Sequence, residues 1–137
     1  MRTLSSFIAP LVAAYRDKRA FEPGAVVPTT PEEAYAVQTA LMDAIGPVGG
    51  FKVSQKPGHP AMLAPIPANR CYTNGATVSV PAKVGVELEV GFVITGTLPH
   101  PDDPDFRAKL IDAVRPAPMI ELVATRLTGP AAEDLMP

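Results

Sequence analysis

Proline occurs 17 times in 137 residues, and it is scattered rather than gathered into one tract. Scattered prolines punctuate loops, so regular structure has to fit into the segments between them. Hydrophobic residues make up 47% of the chain and charged residues 19%, the balance of a globular protein rather than a disordered one. The length fits a single domain, 1–137, able to bury a core of its own. No internal repeat and no boundary between two domains is evident.

Composition excludes several partner classes. The formal net charge is −2, and Lys and Arg form no stripe, so nucleic acid is not an expected partner. No apolar run approaches the ~20 residues of a membrane span. Residues 1–15 superficially resemble a signal peptide, but Ser5, Ser6 and Pro10 interrupt the apolar run. Leu4, Phe7, Leu11 and Tyr15 recur at helical spacing ahead of Arg16, Asp17, Lys18 and Arg19. This predicts an amphipathic helix, bent or begun near Pro10 and ending near Arg19. Cys71 is the only cysteine; it can form no internal disulfide, which fits a reducing cytoplasm. An ordinary semi-buried thiol is expected there rather than a nucleophile.

A loop over 21–29 leads to the clearest helix signal. Thr30 can cap, Pro31 suits the first helical position, and Glu33 completes a capping box. Ala34, Val37, Leu41 and Ile45 form the stripe expected to be buried, and Gly46-Pro47 stops the helix. Residues 1–47 therefore read as helical, and 48–127 as β-rich with one helix. Val48 to Ser54 reads as a short strand. Gln55 to Pro67, with four prolines, reads as largely irregular, a loop able to cover a site. A brief strand is expected over 76–80 after the turn signal Asn74-Gly75. Val86 to Thr95 is the best strand, a third helix follows Asp103-Pro104 with Phe106, Leu110, Ile111 and Val114 on one face, and Met119 to Val123 is a last strand. The tail from Gly129 shows no pattern.

The chemistry concentrates in Val86-Glu87-Leu88-Glu89-Val90. Alternate strand residues share a face, so Glu87 and Glu89 project together, ~7 Å apart along the strand. Val86, Leu88 and Val90 then turn the other way, toward an expected core. The pair reads either as a solvated acidic face or as two ligands for a hard divalent cation, which carboxylate oxygens suit. Glu121 lies in Pro118-Met119-Ile120-Glu121-Leu122-Val123, where a carboxylate is costly unless paired or coordinated. It reads as a third ligand or as the partner of Arg126 or Arg115. Three carboxylates from two strands would form one face of an octahedral Mg²⁺ or Mn²⁺ site, leaving positions for substrate and water. Lys52, in Gly50-Phe51-Lys52-Val53-Ser54, is either a surface lysine with a snorkelling stem or a cation that steadies an enolate or transfers a proton. His59 and His100 lie beside prolines without metal-ligand spacing and are expected at the surface. Gly46 to Gly50 matches no phosphate-binding fingerprint.

These motifs together resemble a known family. Ala34-Tyr35-Ala36-Val37-Gln38, Gly50-Phe51-Lys52-Val53, Val86-Glu87-Leu88-Glu89-Val90-Gly91-Phe92-Val93 and Pro118-Met119-Ile120-Glu121-Leu122-Val123 occur in the order seen in 2-keto-4-pentenoate hydratases and 4-oxalocrotonate decarboxylases. Both belong to the fumarylacetoacetate hydrolase superfamily. The resemblance runs from about residue 4 to 127. It implies an α+β fold with amino-terminal helices on a mixed β-roll, incomplete here, and a homo-oligomer. It also implies Mg²⁺ or Mn²⁺ held by Glu87, Glu89 and Glu121, with Lys52 as the catalytic residue nearby. The implied reaction, in the cytoplasm, is addition of water to 2-hydroxypenta-2,4-dienoate to give 4-hydroxy-2-oxovalerate during the breakdown of aromatic compounds. Decarboxylation of 4-oxalocrotonate is the alternative, since both pass through an enolate of a small 2-oxo acid. Carbon–carbon hydrolysis finds no convincing Glu-His pair. Two departures stand out. Ser54-Gln55-Lys56-Pro57-Gly58 replaces the family's Gly-Leu-Thr-Ser continuation. The later segment with its Asp and Asn/Ser-rich motif is absent, which implies a fragment or a divergent short form. A non-catalytic subunit that acts by binding another protein is the remaining class.

Overall fold

The computed structural model describes residues 4–80, 84–124 and 126–129. Among them are three α-helices, one 3-10 turn and four strands in two antiparallel two-stranded sheets, a mixed α+β structure. The chain divides into two compact units, Met1–Pro81 with Thr125–Pro137, and Ala82–Ala124. The tail beyond Gly129 lies outside the described residues. No helix among the described residues is long and apolar enough to cross a membrane.

In the first unit, α1 (Ser5–Arg16) runs through Pro10 rather than beginning there. Phe7 and Ala14 are buried, and the Phe7 ring lies 5.9 Å from that of Phe21. The helix ends in a left-handed cap: Lys18 takes φ 53°, which lets the Arg19 N–H reach the Ala14 carbonyl at 3.0 Å.

α2 (Pro31–Ile45) forms as its capping signals predict. The Glu33 N–H donates to the Thr30 hydroxyl at 3.2 Å. The Glu33 carboxylate reaches one residue further back than a capping box requires and accepts from the Thr29 N–H at 2.7 Å. Of the expected stripe only Val37 is fully buried; Ala34, Leu41 and Ile45 are half-buried. The helix carboxyl ends, where carbonyls lack intrahelical donors, are tied by arginines. Arg16 donates to the Ala44 carbonyl at 2.8 Å and Arg70 to the Tyr15 carbonyl at 3.0 Å. Arg70 and Arg126 also each lie 5.3 Å from the Tyr15 ring.

β1 (Val48–Ser54) pairs with β2 (Met62–Pro67), which corrects the irregular reading of the end of 55–67. A strand with a single partner needs only alternate N–H groups for its ladder, so Pro65 and Pro67 are tolerated. The strand expected over 76–80 does not form. Those residues follow the expected turn at Asn74-Gly75, but no neighbouring strand among the described residues offers them a ladder. Gly49 meets the turn after β2: a Cβ there would sit 2.6 Å from the Ala68 Cα and 2.9 Å from the Cys71 Sγ.

In the second unit, β3 (Gly85–Ile94) and β4 (Val114–Val123) form a ten-pair ladder, with α3 (Phe106–Ala113) in the connection. Val114, expected on the helix, instead begins β4. The Thr95 N–H donates to the Ala113 carbonyl at 2.8 Å, extending the same register. Odd-numbered residues of β3 therefore form the hydrogen-bonded pairs. Pro116 and Pro118 fall at the other parity, with their nitrogens on the outer edge of β4, so the ladder runs through both prolines without a shift.

Two expectations about burial are overturned. Val86, Leu88 and Val90 do not enter a core: they are 67%, 82% and 73% exposed. The fully buried hydrophobic residues among those described are Phe7, Ala14, Val37 and Ala113, fewer than a chain of this length can bury. The physical reason is layer number. A two-stranded ribbon covers neither of its own faces, and an apolar face stays open unless another layer packs on it.

Candidate metal centre

The period of two in β3 sets Glu87 and Glu89 on one face, and the register sets Glu121 directly across from Glu87. One carboxylate oxygen from each of the three glutamates lies within 4.8 Å of the others. Glu87 is exposed, whereas Glu89 and Glu121 are half-buried. Oxygens around one Mg²⁺ at ~2.1 Å lie at most ~4.2 Å apart, so small side-chain rotations would bring this set onto a single ion. The donor set also suits a hard cation, being all carboxylate oxygen with no His or Cys. Three like charges gathered on one face repel one another, and a metal or basic side chains would offset that repulsion.

Met119 and Gly91 were missed as part of this face. Met119 stands opposite Glu89, and its side chain folds over Gly91 so closely that a Cβ on Gly91 would collide with the thioether. An apolar group thus borders the carboxylates on one side. The available sequence signal was a glycine inside an otherwise well-formed strand, a mark of close approach.

Lys52 lies in the first unit, on β1, opposite Ala64. It is half-buried, while its neighbours Phe51 and Val53 are 57% and 59% exposed. The polar residue is therefore the more sheltered one, the reverse of an ordinary surface strand. His59 and His100 are exposed as expected. The His100 Nδ1 accepts from the Asp102 N–H at 3.3 Å. Cys71 is exposed rather than semi-buried. A hollow of about 260 Å³ in the first unit is lined by Tyr15, Arg16, Ala44, Ile45, Asn69 and Arg70, and both arginines already serve the helix ends.

Comparison with family models, with characterised proteins and with solved structures returned no match to this chain.

Proposed function

We propose that the chain carries the metal-binding part of a 2-oxo-acid lyase, a hydratase that adds water to 2-hydroxypenta-2,4-dienoate to give 4-hydroxy-2-oxovalerate. The observation that carries this reading is the convergence of Glu87, Glu89 and Glu121 on one face of the β3–β4 ribbon. The sequence motifs around those residues support the same assignment. In it the two ribbons belong to a mixed β-roll, and the assembly is a cytoplasmic homo-oligomer.

Glu87, Glu89 and Glu121 would hold Mg²⁺ or Mn²⁺, and a bound ion supplies Lewis-acid stabilisation to the enolate oxygen of a small 2-oxo acid. Lys52 is the group assigned to steady that charge or to carry a proton, and its half-burial supports a role beyond solubility. The test is hydration of 2-hydroxypenta-2,4-dienoate, followed by ultraviolet absorbance with and without Mg²⁺. The 137-residue chain alone should be a poor catalyst; in a complete enzyme carrying this segment, metal-dependent turnover, lowered far more than metal affinity by Lys52→Met, is the expected result. Carbon dioxide release from 4-oxalocrotonate would move the assignment to the decarboxylase. A second reading, a non-catalytic subunit that binds protein, is favoured by the exposure of Phe51, Val53 and Leu88. Absence of Mn²⁺ binding by the chain, together with absence of metal-dependent turnover in a complete enzyme carrying it, would select it.

A further inference from the structure

The hollow of about 260 Å³ in the first unit lies where two helices end. Tyr15 and Arg16 close α1, Ala44 and Ile45 close α2, and Asn69 and Arg70 come from the 3-10 turn after β2. Each guanidinium gives its Nη2 to a helix-end carbonyl, Arg16 to Ala44 and Arg70 to Tyr15. A guanidinium carries five N–H donors, so these bonds orient the two forks and leave most of their donors for something else. Among the described residues neither arginine meets a carboxylate, in contrast to Arg19 with Asp17 and Lys109 with Asp103. We propose that this hollow binds a phosphate group, either free or as the monoester of a small molecule.

Charge points to an anion. The two helix carboxyl ends bring about half a negative charge each, against the two full positive charges of Arg16 and Arg70. Arg126 adds a third cation, since it and Arg70 each lie 5.3 Å from the Tyr15 ring. Like charges gathered this closely repel one another, and a bound dianion would offset the repulsion. Donor geometry favours phosphate over carboxylate. One fork already satisfies a planar carboxylate, whereas Arg16, Arg70 and the Asn69 amide around one hollow suit a tetrahedral group with several acceptor oxygens. Size agrees with this. At ~30 Å³ for each water-sized group, the hollow takes the five heavy atoms of a phosphate and leaves room for roughly three more. Ala44, Ile45 and the Tyr15 ring give that remainder an apolar wall. The site lies within the first unit and does not depend on the carboxylates of the β3–β4 ribbon.

The test is titration of the ¹⁵N-labelled full chain with inorganic phosphate at constant ionic strength, followed by amide chemical shifts. Saturable shifts at Arg16, Asn69 and Arg70 are expected. Asn69→Asp puts a carboxylate beside both arginines and touches neither helix-end bond. It should weaken phosphate binding by about tenfold or more, because like charges are brought together. Arg16→Gln keeps an N–H donor for the Ala44 carbonyl while removing a charge, and should weaken binding in the same direction. Thermal melts of each variant separate loss of the site from loss of the fold. Glycerol phosphate is titrated in parallel. Tighter binding than inorganic phosphate would assign the hollow to a phosphorylated molecule, and equal binding would assign it to the free anion; either upholds the site. Acetate at the same ionic strength is the control. Absence of saturable phosphate binding, equal affinity for acetate, or phosphate binding that survives Asn69→Asp in a folded chain would overturn the inference.

Discussion

Glu87 and Glu121 face each other directly across the β3–β4 ladder, as one of its hydrogen-bonded pairs. Like charges placed opposite each other destabilise a ribbon by about 0.2–1 kcal/mol. Glu87→Gln should therefore raise the thermal stability of the metal-free chain by that amount. The same change should weaken Mn²⁺ binding by at least about tenfold, comparable to the loss of even an outer partner of a metal site. Calorimetric titration and thermal melts on one sample read both effects. Unchanged Mn²⁺ affinity would show that the carboxylates gather for another reason.

Lys18 should be improvable. A non-glycine residue at φ 53° carries a Cβ–carbonyl clash of roughly 1–2 kcal/mol. Lys18→Gly keeps the bond from the Arg19 N–H to the Ala14 carbonyl and removes the clash. An increase in stability of about 1 kcal/mol in urea unfolding is expected. A decrease would mean that the lysine side chain itself supports the cap.

Gly49→Ala should do the opposite. The added methyl would sit 2.6 Å from the Ala68 Cα, a backbone atom that cannot rotate aside. Overpacking of this kind costs roughly 1–3 kcal/mol. Gly50→Ala, where nothing lies within 4 Å of the new Cβ, is the matched control in the same melt.

Asp103 supplies a pH test. The Lys109 ammonium at 2.7 and 2.9 Å, and then the Asp105 N–H, hold its carboxyl below the ordinary aspartate range. A depressed carboxylate contributes stability above its unfolded pKa and loses that contribution as pH falls through the folded value. The approach to α3 should therefore loosen only on the acid side. Lys109→Met should move the Asp103 titration, followed by carboxyl carbon shifts, back upward. A titration that stays in place would assign the shift to the backbone donor instead.

Legibility from sequence was uneven, for reasons that particular residues show. α2 and β1 were readable to their ends because Thr30, Pro31 and Gly46 are local signals that act whatever packs nearby. β2 was not, since Pro65 and Pro67 argue against a strand unless it is known to have one partner only. The residues over 76–80 fail in the reverse sense: their pattern suits a strand, but a strand exists only in a ladder. At the site, alternation correctly grouped Glu87 with Glu89, and the register that adds Glu121 came only with the fold. Alternation also told which residues share a face without telling which face is covered. Leu88 at 82% exposure is the result. Whether Lys52 is sheltered was likewise undecidable from its apolar neighbours, because they are the exposed ones.

The prolines of β4 bear on how far association can run. Open-ended growth into a cross-β fibre requires two competent edges on every copy, one to accept the next strand and one to offer a template. β3 has such an edge, while that of β4 is broken at Pro116 and Pro118. Growth through this ribbon, with one good edge and one interrupted edge, terminates after pairing instead of propagating. Concentrated samples should therefore yield discrete small assemblies without thioflavin-positive fibrils, and replacing both prolines by valine should remove that limit.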